Sequence, residues 1–282
     1  MERHPFGSTK RQVAAIGQGT WHIEAAERRS AIAALRRGLD LGMTHIDTAE
    51  MYGSGAAEQI VAEAIAGRRD EVFIVSKVLP HHASRNGTVT ACEKSLARLK
   101  TEWLDCYLLH WRGSYPLEET IAAFERLQRE GKIRSWGVSN FDVADLEEAV
   151  RIAGEGKLAC NQVLYHLEER SIERAVIPWC EQRSVAIVGY TPFGHSAIFS
   201  GPGTSGGRVL SEIAAAHDAT PRQVALRFLV RRPSLFTIPK ASSPAHAAEN
   251  AGAGNLKLTK HELELIDDAF PLDRRHRRLP ID

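Results

Sequence analysis

Four side chains distributed over the first 110 positions would, if brought together, protonate a carbonyl: Asp47, Tyr52, Lys77 and His110. A free phenol titrates near about pH 10, which makes it a poor acid–base group at neutrality. An ammonium beside it favours the phenolate and lowers that pKa, and a carboxylate beside the ammonium keeps it charged and oriented. An imidazole near the phenol would hold a carbonyl oxygen within reach, an arrangement suited to proton donation as hydride arrives. Singly, each residue also has a plain structural reading. Lys77 and Asp47 could be a satisfied ion pair at a strand end, and His110 a capped core histidine.

The elements that must position these residues are visible as alternating patterns. Apolar, β-branched runs predict strands over residues 13–16, a segment ending at Asp47, 72–77, 103–110, 133–139, 159–165, 185–190 and 236–239. Helical stripes separate them, among them Ile32, Leu35 and Leu39, then Val89, Cys92, Leu96 and Leu99, then Ile121, Phe124 and Leu127. Further helices are predicted over 172–180, 209–216, 221–230, 245–251 and 259–270. Strict alternation of β and α implies a parallel sheet. Eight such units in one chain predict an α/β fold, a (β/α)8 TIM barrel. A doubly wound open sheet is the alternative. No linker divides residues 1–282, so a single domain is expected.

Barrel sites lie at the carboxyl ends of the strands. Those ends carry Trp21, Asp47 with Tyr52, Lys77, His110, Ser139-Asn140, Asn161-Gln162, Tyr190 and Lys240.

Composition narrows the class of partner. With 43% apolar and 25% charged residues, the chain has the balance of an ordinary globular protein. A net charge of +1 offers no field to attract nucleic acid or an acidic membrane. No run reaches the roughly 18 apolar residues of a membrane span. Residues 1–10 lack the apolar core of a signal peptide, so a cytoplasmic protein is expected. Cys92, Cys106, Cys160 and Cys180 show no paired spacing and read as reduced thiols. The expected partner is a small carbonyl compound, and the expected state a monomer or weak homo-oligomer.

Over nearly its whole length the chain resembles the aldo-keto reductase superfamily. The motifs are Gly17-Gln18-Gly19-Thr20-Trp21, residues 46–53 (Ile-Asp-Thr-Ala-Glu-Met-Tyr-Gly), Ser76-Lys77, Leu108-Leu109-His110-Trp111, Gly137-Val138-Ser139-Asn140-Phe141, Asn161-Gln162 and Ile238-Pro239-Lys240, in that order. The resemblance implies a (β/α)8 barrel that reduces aldehydes and ketones with NADPH, without a metal. It implies Tyr52 as general acid, Lys77 and Asp47 as its partners, and His110 as the group orienting the carbonyl. Trp21 and Trp111 match aromatic positions of the substrate pocket. Ser139, Asn140 and Gln162 match residues that hold the cofactor carboxamide, and Tyr190 matches the aromatic under the nicotinamide; Thr20, Trp21 and Asp47 are expected among the cofactor-binding residues as well. Lys240 matches the cation facing the 2′-phosphate, with Ser242, Ser243, His246, Glu249 and Asn250 around the adenosine.

Two departures touch that end of the site. The family often has arginine where His246 stands and serine where Ala241 stands. One fixed charge and one hydroxyl are therefore missing, so NADPH is expected with NADH possible. The motif wording, including Asn161 to His166, is similar to bacterial reductases of methylglyoxal and other small 2-oxoaldehydes. A nucleotide-sensing module of the same shape with little turnover is the rival reading, and physiological operation as an alcohol dehydrogenase or keto-sugar reductase a third.

Three motifs read as decoys. Gly201 to Gly206 spells GxGxxG but contains Pro202 and does not directly follow a strand, so it reads as a loop that could fold over a pyrophosphate. His81-His82 has no acidic or cysteine neighbour in sequence, and adjacent histidines rarely chelate one ion. The basic run Arg274 to Arg278 reads as a solvated tail.

Overall fold

Alternating strands pair with their chain neighbours throughout. The computed structural model describes residues 1–194, 199, 203–272 and 279–280. A short antiparallel hairpin, β1 (Arg3–Pro5) with β2 (Gln12–Ala14), precedes eight parallel strands. These are β3 (Gln18–Gly19), β4 (His45–Asp47), β5 (Phe73–Val78), β6 (Cys106–Leu109), β7 (Trp136–Ser139), β8 (Leu158–Leu164), β9 (Ala186–Tyr190) and β10 (Leu235–Thr237). The spatial order of the sheet is the chain order, β3 to β10. Parallel bridges Ile16–Thr237 and Gly19–Lys240 also link the first segment of the sheet to the last. There the Gly17 N–H donates to Thr237 O at 2.8 Å and the Gly19 N–H to Pro239 O at 3.1 Å.

Helices α1 (Arg28–Asp40), α2 (Ala56–Ala64), α3 (Arg85–Leu99), α4 (Leu117–Arg129), α5 (Val143–Ala153) and α6 (Val176–Gln182) follow successive strands of the sheet. After β9 come α7 (Ser205–Ala216) and α8 (Pro221–Leu229); after β10 come α9 (Pro244–Gly252) and α10 (Lys260–Ala269). Their starts are set by side-chain caps. Ser84 accepts from Gly87 N–H at the head of α3, and Thr220 and Thr259 form reciprocal capping boxes at α8 and α10.

The period of two along each strand divides the side chains between two cores. Ile46, Ile74, Tyr107, Leu109, Trp136, Val138 and Ile187 pack outward beneath the helices. Phe73, Val75, Cys106, Leu108, Ala186, Val188 and Phe236 pack inward on the concave face, where Phe6 of the hairpin joins them. Phe6 closes the amino-terminal end of this inner core, its ring 4.7 Å from Phe73 and 5.1 Å from Phe236. The adjacent Gly7 has φ of +52°, and a Cβ there would stand 2.1 Å from Ala159 O, so only glycine lets the hairpin seat.

Four expectations change. The run over 13–16 supplies β2 and a bridge rather than the first sheet strand, which is Gln18–Gly19. A short continuous apolar run such as Val13-Ala14-Ala15-Ile16 reads alike in a floor hairpin and in a sheet strand. The helix expected over 172–180 is a 3-10 turn, Ser171–Glu173, and then α6. Pro178 has no N–H to give Arg174 O, so an α-helix can contain it only in its first turn. The strands expected over 103–110 and 133–139 narrow to Cys106–Leu109 and Trp136–Ser139, with Leu104 and Ile133 joined only by an isolated parallel bridge; just before β6, Asp105 turns its carboxylate onto Arg11, Arg69 and the Ile74 N–H. The basic run at Arg274 to Arg278 lies outside the described residues, as do Gly201 and Pro202.

Beneath the turn that follows β4, Glu58 of α2 has no exposed surface and accepts from the Ser76 hydroxyl at 2.6 Å and from the Arg98 guanidinium. Arg98 also lies against Gly55, whose φ is +93°. Arg98→Ala would leave the Glu58 carboxylate buried without its cation. The expected cost is about 3 kcal/mol of folding stability, read as a lower urea midpoint at unchanged slope.

Candidate active site

Past Asp47 the chain stays zipped to β5. The Thr48 N–H donates to Val75 O at 2.9 Å and the Glu50 N–H reaches Lys77 O at 3.5 Å. Gly53, Ser54 and Gly55 then take φ of +54°, +53° and +93° in succession, turning the backbone sharply into α2. Tyr52, at the start of this turn, is 9% exposed.

Asp47 pairs in register with Val75, and strand parity puts Lys77, two residues further on, on the same inner face within reach of the Asp47 carboxylate. Lys77 has no exposed surface. Its Nζ donates to Asp47 Oδ1 at 2.5 Å, to Thr48 O at 3.0 Å and to Tyr52 Oη at 3.0 Å. Those three bonds use all the protons an ammonium has. Because lysine can only donate, the hydroxyl hydrogen of Tyr52 is left for another acceptor. The second oxygen of Asp47 accepts from Gln162 Nε2 at 2.7 Å. His110 continues β6 and sets its ring 5.8 Å from that of Tyr52, edge to face.

Burial dominates the electrostatics. It pushes the Asp47 carboxyl up, opposed by the charge and hydrogen bond of Lys77 and by Gln162. For Lys77 the same burial lowers the pKa, yet the attraction of Asp47 and Tyr52 outweighs it and holds the ammonium above its ordinary range. The Tyr52 phenol moves up rather than down. Desolvation raises it, and the opposing pull of Lys77, partly offset by Asp47, does not restore it. The expectation of a net lowered phenol pKa is therefore corrected: the ammonium pulls in the expected direction, but the loss of water around the phenol outweighs it. Burial, with Lys77 nearby, takes His110 down to about 2. It is a neutral imidazole whose Nδ1 is buried without a partner.

Thr20, Trp21, Asp47, Tyr52, His110, Trp111, Ser139, Asn140, Gln162, Tyr190 and Lys240 share one cavity of about 260 Å³. Lys77 stands behind its wall. At the floor, Asn140 has φ of +62° and donates to His110 O and to Ser139 Oγ, while its own oxygen accepts from the Tyr190 hydroxyl at 2.9 Å. Asn161, part of the same motif as Gln162, instead exchanges bonds with the Phe141 backbone.

The remaining expected residues gather on α9 and its approach, beyond the cavity lining. Ser242 O accepts from the Ser30 hydroxyl, Ser243 caps α9 by accepting from His246 N–H, and Asn250 is buried. Glu249 receives the Thr220 hydroxyl at 2.8 Å. Gly19, Met51 and Ile238, which belong to the motifs above without an assigned role, also line the cavity, as do Thr191, Pro192, Phe193 and Gly194, which lie outside those motifs. The only sequence signal for the stretch from Thr191 to Gly194 is its place directly after Tyr190.

The decoys resolve partly. Thr204 caps α7, so the described end of the glycine-rich stretch is a helix start rather than a βα fingerprint turn. His82 does have an acidic neighbour in space, Glu50, with Nδ1 3.0 Å from Oε1, although 32 positions separate them. Among the described residues no group of three or more His, Cys, Asp or Glu could hold a metal ion. None of their helices is long and apolar enough to cross a membrane.

A parallel eight-stranded sheet wrapped in helices, with a buried lysine, carboxylate and phenol at its carboxyl end, defines a class of carbonyl-reducing oxidoreductases. Residues 15–270 match the aldo/keto reductase family, and the chain belongs to it. It is 46% identical over 259 residues to the methylglyoxal reductase YeaE of Escherichia coli K12, covering 91% of each chain. It is 32% identical to the glyoxal reductase of Bacillus subtilis, covering 89% of this chain and 87% of that one. Among solved structures, an aldo/keto reductase from Klebsiella pneumoniae in complex with NADP and acetate superposes with a TM-score of 0.92 at 42% identity, each chain covered completely. The same values hold for an aldo-keto reductase of that organism in complex with NADPH.

His45 lies on the inner face below Asp47 among Phe6, Phe73 and Phe236, and burial takes its pKa down to about 3. His45 and His110 thus stay neutral in the folded chain, whereas unfolded histidines charge below about pH 6.5. Stability is held above that pH and lost as pH falls through it, at roughly 1.4 kcal/mol per pH unit for each histidine. Urea melts between pH 7 and pH 5 should show this loss, and His45→Leu should reduce its steepness by the share of one proton.

Proposed function

We propose that the chain is a single closed (β/α)8 barrel over residues 1–282 that reduces small aldehydes, 2-oxoaldehydes such as methylglyoxal foremost, with NADPH. The observation that carries this reading is the contact of Lys77 with both Asp47 and Tyr52 at a cavity also lined by His110. Support for closure comes from the bonds joining Gly17 and Gly19 to the β10 segment. Support for the substrate comes from the two reductases of methylglyoxal and glyoxal that the chain resembles. Support for the cofactor comes from the two Klebsiella pneumoniae structures.

The residues present suit such a cofactor. Ser139, Asn140 and Gln162 would hold the carboxamide, and the Tyr190 ring would lie under the nicotinamide. Lys240 is exposed with no acidic partner among the described residues, and it would meet the 2′-phosphate. Ser242, Ser243, His246, Glu249 and Asn250 would surround the adenosine. When bound, the dihydronicotinamide supplies the hydride.

The chain's own residues handle the oxygen. Neutral His110 orients the carbonyl by a hydrogen bond without introducing a proton of its own. Tyr52 donates its hydroxyl hydrogen as negative charge develops on that oxygen. Lys77 steadies the phenolate left behind, and Asp47 keeps the ammonium charged and in place. Trp21, Met51, Trp111 and Phe193 form the apolar part of the wall.

Tyr52→Phe removes one oxygen and the transferable proton. Turnover of methylglyoxal should fall by about 10²–10⁴-fold while fluorescence titration gives nearly unchanged NADPH binding; wild-type turnover in this variant would refute Tyr52 as the acid. Lys240→Met should raise the Michaelis constant for NADPH about tenfold, the loss of one charge-assisted contact, and leave that for NADH within twofold. Equal effects on the two coenzymes would mean the phosphate is held elsewhere.

A further inference from the structure

The parallel ladder between the segment after β4 and strand β5 does not end where the backbones diverge. Two backbone rungs run first, Thr48 N–H to Val75 O and Glu50 N–H to Lys77 O. Just past the end of β5, the Leu79 N–H finds no backbone carbonyl opposite. It donates at 2.8 Å to Oε1 of Glu50. The same oxygen lies 3.0 Å from His82 Nδ1. The Glu50 side chain is 8% exposed and His82 46% exposed, so the carboxylate is held inside while the imidazole covers it.

We infer that Glu50 is a positioning residue of the reduction: its carboxylate oxygen serves as the final rung that sets Tyr52 against Lys77. The inference rests on the function proposed above. Lys77 precedes Leu79 by two residues on one strand, and Tyr52 follows Glu50 by two on the other segment. The rung therefore clamps the two backbones just after Lys77 on one side and just before Tyr52 on the other, next to the pair whose Nζ–Oη separation is 3.0 Å. The turn after Tyr52, with three successive left-handed residues, gives no rung of its own to β5. What the rung requires is an acceptor oxygen at glutamate length; it does not require a charge.

That distinction supplies the test. Glu50→Gln keeps the oxygen and the reach but loses the charge, and should retain the single-turnover rate of enzyme-bound NADPH with methylglyoxal within about threefold. Glu50→Asp keeps the charge but is one methylene short, and should lose about 10–100-fold in that rate, the scale of a displacement of about 1 Å at reacting groups. Its NADPH affinity should not change. Glu50→Ala should match the aspartate variant if it folds, and the Gln–Asp comparison stands without it. An aspartate variant as fast as wild type, or a glutamine variant as slow as the aspartate, would overturn the inference. A general loss of folding would lower the rates of both variants and the melting temperature together, and would count against it as well. Tyr52→Phe run in parallel separates the two levels: if it is inactive while the Glu50 series is flat, only the rung is wrong, and if Tyr52→Phe is fully active the proposed function itself fails.

Discussion

A lysine with no exposed surface is the constraint around which this protein is built. Moving an ammonium out of water costs several kcal/mol even after relaxation, and a carboxylate costs as much again. Lys77 and Asp47 are both buried, so each is tolerable only because the other is there. The residual valences are also filled: Thr48 O and Tyr52 Oη take the other two ammonium protons, and Gln162 takes the free carboxylate oxygen. A half-satisfied network here would be worse than an apolar core. The pair therefore demands rigid strands on both sides, and the parallel ladder of β4 with β5 provides them.

Register converts this local demand into a site. On each strand the residues two apart share a face, so Asp47 stands above His45, Lys77 above Val75 and His110 above Leu108. Below this level the inner face is aromatic and aliphatic, sealed by Phe6. Above it the cavity opens. The site is thus a charged layer above a dry plug whose buried histidine, His45, is neutral, and a strand slipped by one residue would turn its polar group under the helices.

Much of this could be read from the residues in order. Polar groups at the ends of apolar runs announce the strand ends, because a charged residue terminating a β-branched stretch has few other places to go. Asp47, Tyr52 and Lys77 are in fact brought into contact. What could not be read depends on encounters between distant segments. Met51, Pro192, Phe193 and Ile238 line the cavity with ordinary apolar side chains whose type carries no chemical signature. The Glu50–His82 contact and the Asp105 cluster with Arg11 and Arg69 join positions that nothing in the linear pattern pairs. The misread strand over 13–16 has the same cause: its apolar residues do face a core, but from the floor.

The most informative disagreement concerns the phenol. A cation 3.0 Å from Tyr52 Oη was expected to make it more acidic, yet burial keeps its pKa above the usual value. For the proton donor proposed above this is a workable balance. A phenol already ionised at neutral pH would have no proton to give, and one lacking the ammonium would leave an unstabilised phenolate after giving it. Burial keeps the proton on oxygen, and Lys77 Nζ already stands against Oη where a phenolate would form. In the proposed reduction the proton would leave when developing charge on a bound carbonyl oxygen raises that oxygen's own basicity. Under the proposed reading the site would couple proton transfer to reduction rather than to bulk pH, and the same dryness that penalises Lys77 in the resting protein would strengthen its attraction for a phenolate.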